Sequence, residues 1–238
     1  MPDSDLDTEL GHRRSARGEN RLPPAIAVLV AATAYALLPE SLLFAPRVVI
    51  PAIELALLVA VVVANPRRMA RQTRWSRAAS ALLAAVVIVA NLVALGMLVF
   101  QLSVGNPSGG SLLVAAIQVW LTNVIGFALL FWELDRGGPV ARRVKRRTDL
   151  PPADFRFSHD ENADTVVEVA TTASERSGWI PVFVDYLYLS LTNSSAFSPT
   201  DTMPLSSRAK LLMGLEASAA LFVSLIVVAR AVGALGGQ

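Results

Sequence analysis

Apolar residues in this chain gather in long blocks rather than recurring at a period of 2 or 3.6. Blocks of about 17 or more apolar residues with few charges predict transmembrane helices. Five blocks of this kind stand out: about Pro23–Leu38, Val48–Ala64, about Ala78–Leu102, Leu112–Trp132 and about Leu211–Leu235. Their borders carry helix punctuation. Pro23 and Pro24 suit a first helical turn, where a missing N–H costs nothing. Pro39 and Glu40 end that block, Arg47 opens the second, Asn65 and Pro66 close it, and the loop SVGNPSGG precedes the fourth. Between the fourth and the last lie a polar stretch, residues 134–178, and an apolar-then-polar segment, Trp179–Pro204.

The expected fold is therefore all-α: a polytopic membrane helical bundle with five spans and a sixth short or re-entrant segment. It divides into a disordered tail at 1–21, a four-span bundle at 22–133, a polar loop at 134–178 and a final helix pair at 179–238. Arg and Lys near span ends set orientation, because cytoplasmic loops carry their excess. Arg13, Arg14, Arg17 and Arg21 lie in the tail, Arg67, Arg68, Arg71, Arg74 and Arg77 follow the second block, and Arg136, Arg142, Arg143, Lys145, Arg146 and Arg147 follow the fourth. The loop at 39–47 has one Arg and that at 103–111 none. The N-terminus, residues 65–77 and residues 134–178 are thus expected in the cytoplasm.

Composition agrees. The chain is 53% hydrophobic with 17% charged residues, against roughly 25% charged in a soluble domain. Its mean hydropathy is +0.50. The absence of cysteine excludes disulfides, thiolate metal sites and cysteine nucleophiles. His12 and His159 have no ligand-spaced partner, so no metal or other cofactor is expected. The basic half of 134–178 lies next to the membrane, where each basic residue gains about 1 kcal/mol from anionic headgroups. The acidic half, with Asp154, Asp160, Glu161, Asp164, Glu168 and Glu175, reads as solvated or as a docking site for a cytoplasmic protein partner.

Ionisable groups inside spans are candidate functional residues, since burying one costs ~2.5–3.5 kcal/mol at a helix centre. Glu54 lies about 9 Å into the second block by helix rise, just after Pro51. Asn91, Gln118, Thr122 and Asn123 offer hydrogen-bonding groups at depth, where such residues join neighbouring helices. Glu216 and Arg230 mark the start and end of the last block. That block also carries small residues at i, i+4, including Gly214/Ser218 and Ala229/Gly233, a spacing that admits a close helix neighbour within one subunit or in a homo-oligomer.

The last third reads Asp185-Tyr-Leu-Tyr-Leu-Ser190, then Asp201-Thr-Met-Pro204, then Leu211-Leu-Met-Gly-Leu-Glu-Ala217 and Ala229-Arg-Ala-Val-Gly233. This resembles the two-helix pore module of bacterial potassium channels, D-x-L-Y-F-S-x-x-T-x-T-T-x-G-Y-G-D-x-x-P followed by an inner helix. It aligns without a gap from Asp185 to Pro204. The resemblance implies a pore-like segment comprising Asp185, Ser190, Asn193, Ser195, Ser198, Pro199, Thr200 and Asp201, braced by Glu216. The filter positions depart from the pattern: T-x-G-Y-G falls on Ala196-Phe197-Ser198-Pro199-Thr200. Stacked carbonyls need the backbone freedom of glycine, and Pro199 fixes its own φ and restricts its neighbour. Potassium-filter chemistry is therefore not expected. The whole layout also resembles a group of uncharacterised bacterial integral membrane proteins, which implies a bacterial inner (plasma) membrane location and says nothing about chemistry.

The arginine pattern leaves residue 178 in the cytoplasm. A re-entrant Trp179–Ser198 would then dip from the cytoplasm, the reverse of a channel. A crossing would put 199–206 outside and Arg230 near the cytoplasm. Twenty residues at 1.5 Å reach about 30 Å, and the six-span arrangement is the one expected. The functional expectation is a channel-like membrane protein, a weakly selective ion pathway without a potassium filter. The alternatives are a non-conducting scaffold and a proton-coupled carrier using Glu54. No GxSxG, HExxH, P-loop or GxGxxG pattern occurs, so no enzyme is expected. Nor is nucleic-acid binding, because no aromatic-basic platform accompanies the arginines.

Overall fold

The computed structural model describes residues 19–64, 68–69, 74–104, 109–161, 165–196 and 201–236. The tail at 1–18 and the filter-like positions Ser198, Pro199 and Thr200 lie outside the described residues. The chain is mostly helical. Helices α1 (Leu22–Ala36), α2 (Val49–Ala64), α3 (Arg74–Val104) and α4 (Gly109–Leu134) form an up-down bundle. A short α5 (Pro139–Val144), a half-length α6 (Phe183–Ala196) and a long α7 (Ser207–Gly236) follow. Trp75–Gln101, Leu112–Gly137 and Ser207–Arg230 are long and apolar enough to cross a membrane. α1 and α2, with 15 and 16 residues, are apolar but shorter. Runs such as VIPAIELALLVAVVVA contain many β-branched residues, yet away from water only a helix satisfies every backbone N–H and C=O within one segment. Pro51 is the third residue of α2, in the first turn, so it removes no bond from the helical ladder.

The two ends of the bundle are distinct. At one end β1 (Glu19–Asn20) pairs antiparallel with β2 (Arg68–Met69), which gathers the N-terminal segment and the loop after α2. Glu19 there accepts 2.8 Å hydrogen bonds from Trp132 Nε1 and the Phe183 backbone N–H. The arginine-rich segments thus share one end. At the other end Gln101 Nε2 donates to the Ser41 carbonyl at 2.7 Å, tying the last turn of α3 to the arginine-poor loop at 39–47.

α6 does not run the length of the bundle. Along α4, Tyr186 meets Asp135, Ser190 meets Val124 and Ser194 meets Asn123, so α6 is antiparallel to α4 and stops near its middle. α7 also begins beside the end of α4, with Arg208 Nη2 3.5 Å from the Leu134 carbonyl. It continues to the far end, where Ala219, Val223 and Ile226 share a core with Leu112, Ala115, Ala116 and Val119. Two helices that run the same way require the chain to return between them. The return is anchored by β4 (Thr202–Pro204), which pairs antiparallel with β3 (Phe155–Phe157), and by the Leu205 N–H on the Asp154 carbonyl at 2.8 Å. The path of the chain does not match the six-crossing expectation: Phe183 and Thr202–Pro204, on either side of α6, both lie at the arginine-rich end, α6 itself stops mid-bundle, and α7 leads away from that end. Length alone suggested a crossing, but among the described residues of that segment 14 are helical.

Residues 134–178 also differ from a free solvated loop. Asp154, Phe155, Phe157, Ala170 and Ala173 are buried. Phe155 packs edge-on against Phe131 and Tyr186, and Phe157 against Tyr186 and Trp179. This segment caps the bundle end. The chain enters it through a left-handed turn, with positive φ at Arg136, Gly137 and Gly138. A Cβ on Gly137 would stand 3.2 Å from Pro151 Cγ. Deeper in the bundle, a Cβ on Gly126 would lie 2.9 Å from Ile88 Cγ1, so glycine there lets α3 and α4 approach closely.

Candidate functional site

Polar side chains form a continuous path across the middle of the bundle. At its α7 end stands Glu216, fully buried. Its Oε1 accepts from the hydroxyls of Ser190 and of Ser194, the latter at 3.0 Å, and its Oε2 accepts from Asn193 Nδ2 at 2.7 Å. Ser190, Asn193 and Ser194 lie on one face of α6 because their spacing is i, i+3, i+4. Asn193 Nδ2 also reaches the Met213 carbonyl at 3.0 Å, and Ser190 the Val124 carbonyl at 2.8 Å. From α4, Asn123 Nδ2 donates to the Glu216 backbone carbonyl at 3.2 Å and lies 3.5 Å from Ser194 Oγ. Asn123 Oδ1 accepts from Asn91 Nδ2 of α3 at 3.2 Å, and Asn91 Oδ1 accepts from Thr122 Oγ1.

Asn91 and Thr122 also line a cavity of about 10 Å3 with Tyr35, Glu54 and Gln118, near the smallest that holds a single water. Tyr35 OH, Glu54 Oε2 and Gln118 Oε1 are buried there without a hydrogen-bond partner. Burying such groups unpaired costs roughly 1–3 kcal/mol each, and the rest of the lining, Ala31, Ala34, Leu38, Val87, Ala90 and Ala94, offers them no polar side chain. Hydrogen bonds thus link Asn91, Thr122 and Asn123 to Glu216, and Glu54 faces the small cavity at the Asn91 end of this path. Its charge is one-sided. Two carboxyl groups belong to it, the C-terminal end of α6 contributes the negative end of its dipole, and among the described residues no basic side chain lines the cavity.

The sequence-selected residues divide on this geometry. Glu54, Asn91, Asn123, Ser190, Asn193 and Glu216 are brought together. Asp185 accepts the Val182 backbone N–H at 2.7 Å and so caps its own helix. Ser195 and Asp201 are exposed, and Arg230 is half-buried in the far part of α7. Tyr35 was not a sequence candidate, since one tyrosine in an apolar block carries no pattern.

A second cluster, also missed, organises the bundle end. Asp135 is fully buried. It accepts Tyr186 OH at 2.5 Å and the Asp154 N–H at 2.7 Å, and its Oδ2 lies 3.5 Å from Arg136 Nε. Arg136 in turn binds Asp160 at 2.6 Å. Arg142, with its side chain fully buried, donates through Nη1 to the carbonyls of Trp132 and Asp135 at 2.8 and 2.7 Å and stacks over the Tyr186 ring. Its Nη2 lies 4.0 Å from Glu19 Oε2. Desolvation holds the Glu19 carboxyl above its ordinary range, against the opposing pull of Arg142 and the bonds from Trp132 and Phe183. His159 is not simply solvated: it stacks on Trp179 at 4.3 Å.

No family model matches the chain, and no curated protein or solved structure does either.

Proposed function

We propose that this is a channel-like membrane protein that passes small cations, with α1, α2, α3, α4 and α7 as five spans and α6 as a re-entrant half-helix. The single observation that carries the reading is the buried polar path from Glu54 to Glu216. Such a path is costly inside an apolar bundle, and carboxyl groups with a helix C-terminus beside them favour a cation or proton. The half-length α6 supports it as well, because a helix that ends at membrane depth is tolerated only against protein or a water-filled cavity. The distribution of arginines orients the N-terminus and the cap toward the cytoplasm of a bacterial inner membrane. The pore-module resemblance adds a helix entering from one side and leaving by it, here from the cytoplasmic face. Purified protein in liposomes is expected to pass protons or monovalent cations faster than empty liposomes. Glu54→Gln is expected to reduce that flux about tenfold, in line with the loss of one charged group at a rate-determining site. Flux equal to that of empty liposomes, across several cations and pH values, overturns the reading.

A non-conducting scaffold is the second reading. It is favoured by one observation: Glu216 saturates the polar face of α6 from within the same chain, leaving no polar wall for a wider pore. The exposed Val166 and Val167 of the cap then form a docking point. A stoichiometric partner that co-purifies with the native chain and is lost in Val166→Asp/Val167→Asp, together with absent flux, is its signature.

A further inference from the structure

The cap holds a cavity that the ion path does not use. It measures about 300 Å3 and is lined by Arg136, Arg142, Lys145, Arg147, Leu150, Pro151, Pro152, Ala153, Trp179 and Ile180. Four cations and no carboxylate belong to this lining. From its walls, we propose that the cavity binds a phosphate group at the bundle end.

Several observations point the same way. Arg142 stands in this wall with its side chain buried, its Nη1 fixed by the Trp132 and Asp135 carbonyls and its Nε and Nη2 closed off from solvent. Glu19 balances part of its charge from 4.0 Å without bonding it. A guanidinium fixed by two backbone carbonyls and a tyrosine ring contributes a preorganised positive charge to the wall, which favours an oxyanion in the cavity. Arg147 is also held in place: Nη2 donates to the carbonyls of Ser174 and Trp179 at 2.8 and 3.0 Å. No carboxylate neutralises it within ion-pair distance among the described residues. Asp149, the nearest acid in sequence, pairs instead with Arg146 at 2.9 Å, outside the lining. Lys145 is exposed at the rim and supplies a mobile point charge.

The geometry at Arg136 is consistent with a built site. It is the one non-glycine residue with positive φ among the described residues. Left-handed backbone is strained at such a residue and concentrates at functional positions. Here it carries the side chain to Asp160 and into the cavity wall. Pro151 and Pro152 donate no hydrogen bonds and stiffen the opposite wall, while Leu150, Trp179 and Ile180 give an apolar side. A phosphate esterified to something apolar fits this division. The cavity adjoins the ends of α4 and α6, at the bilayer surface in the five-span reading. The same chemistry is offered by an anionic lipid headgroup and by a free phosphate.

The test uses the full chain purified in a neutral detergent and titrated calorimetrically with inorganic phosphate and with dioctanoyl phosphatidylglycerol. Dioctanoyl phosphatidylcholine serves as the zwitterionic control. Saturable binding of one molecule per chain is expected for at least one anionic probe. Binding of the lipid alone identifies a headgroup site, and binding of phosphate alone a soluble ligand; both support the cavity. Lys145→Gln/Arg147→Gln is expected to weaken binding about tenfold or more, the scale of one charge-assisted contact. Arg146→Gln, a neighbouring arginine outside the lining, is expected to leave it nearly unchanged. Because Arg147 also ties Trp179, the single variant Lys145→Gln, which disturbs no internal bond, is expected to show a smaller loss in the same direction. Absence of saturable binding by both anionic probes overturns the proposal. So does equal binding of the phosphatidylcholine, or a loss in Arg146→Gln as large as in the double variant. None of these results depends on ion flux.

Discussion

At the residue scale, buried carboxylates decide most of what is specific to this molecule, and they are held in different ways. Glu216 receives three side-chain donors from α6. A glutamine there places an NH2 group where Asn193 or a serine hydroxyl now donates, so one donor faces another. Glu216→Gln is expected to cost about 1–3 kcal/mol, the penalty of leaving a buried donor unpaired, read as a lower unfolding temperature in detergent. Glu19 behaves differently because its acceptor role needs no charge. Both donors converge on Oε1, and burial raises its pKa above the ordinary value. A carboxyl whose folded pKa lies above its unfolded one stabilises the fold fully below the unfolded value. That contribution is lost as pH rises through the folded value. Stability of the native chain should therefore decline over that window above about pH 4.5. Glu19→Gln, which keeps the acceptor oxygen, should flatten this part of the profile. An unchanged slope of unfolding temperature against pH would show that Glu19 is already ionised at no cost.

At the element scale, the apolar blocks placed α1, α2, α3, α4 and α7 to within a few residues, because an uninterrupted run of apolar side chains is itself the physical cause of a buried helix. Glu54, Asn91, Asn123 and Glu216 were also legible, since a polar group amid such a run is costly and must find a partner. What the sequence did not reveal was which partners. Asn91 and Asn123 meet because α3 and α4 pack closely, and that closeness rests in part on Gly126, one glycine among several. With a Cβ only 2.9 Å from Ile88 Cγ1, Gly126→Val should push the helices apart. The expected cost is about 1–3 kcal/mol, typical of overpacking, with the Asn91–Asn123 bond weakened as well. If Gly126→Val unfolds at the native temperature, the helix spacing does not depend on this position. The reversal of α6 was illegible for a related reason. It depends on β3 and β4, each of three residues, too short to show a period and paired across most of the cap. Asp135 and Arg142 were hidden in the same way: charged residues at a span end look like orientation signals until the chain folds back over them.

At the scale of the whole molecule, the distinction between a crossing and a re-entrant segment governs which side every later residue faces. Large apolar side chains remain exposed along α1, α2 and α7, among them Leu37, Val63, Leu211, Phe222 and Val228. A belt of that size suits lipid contact. Within that belt, β3–β4 pairing ties Met203 to the cap, so Met203 and Lys145 belong to one face, while Glu40 belongs to the other. The chain has no cysteine, so single cysteines report position without background. All three sites are exposed. Lys145→Cys and Met203→Cys should react with a membrane-impermeant maleimide from the same side, inside if the arginine excess sets the orientation. Glu40→Cys should react only from the opposite side. A six-span chain gives the reverse pairing, with Met203→Cys labelled together with Glu40→Cys. The two topologies thus differ at a single residue whose side chain is exposed in the fold. The outcome also fixes the face from which α6 enters, and with it the side of the bundle from which Glu216 is approached along α6.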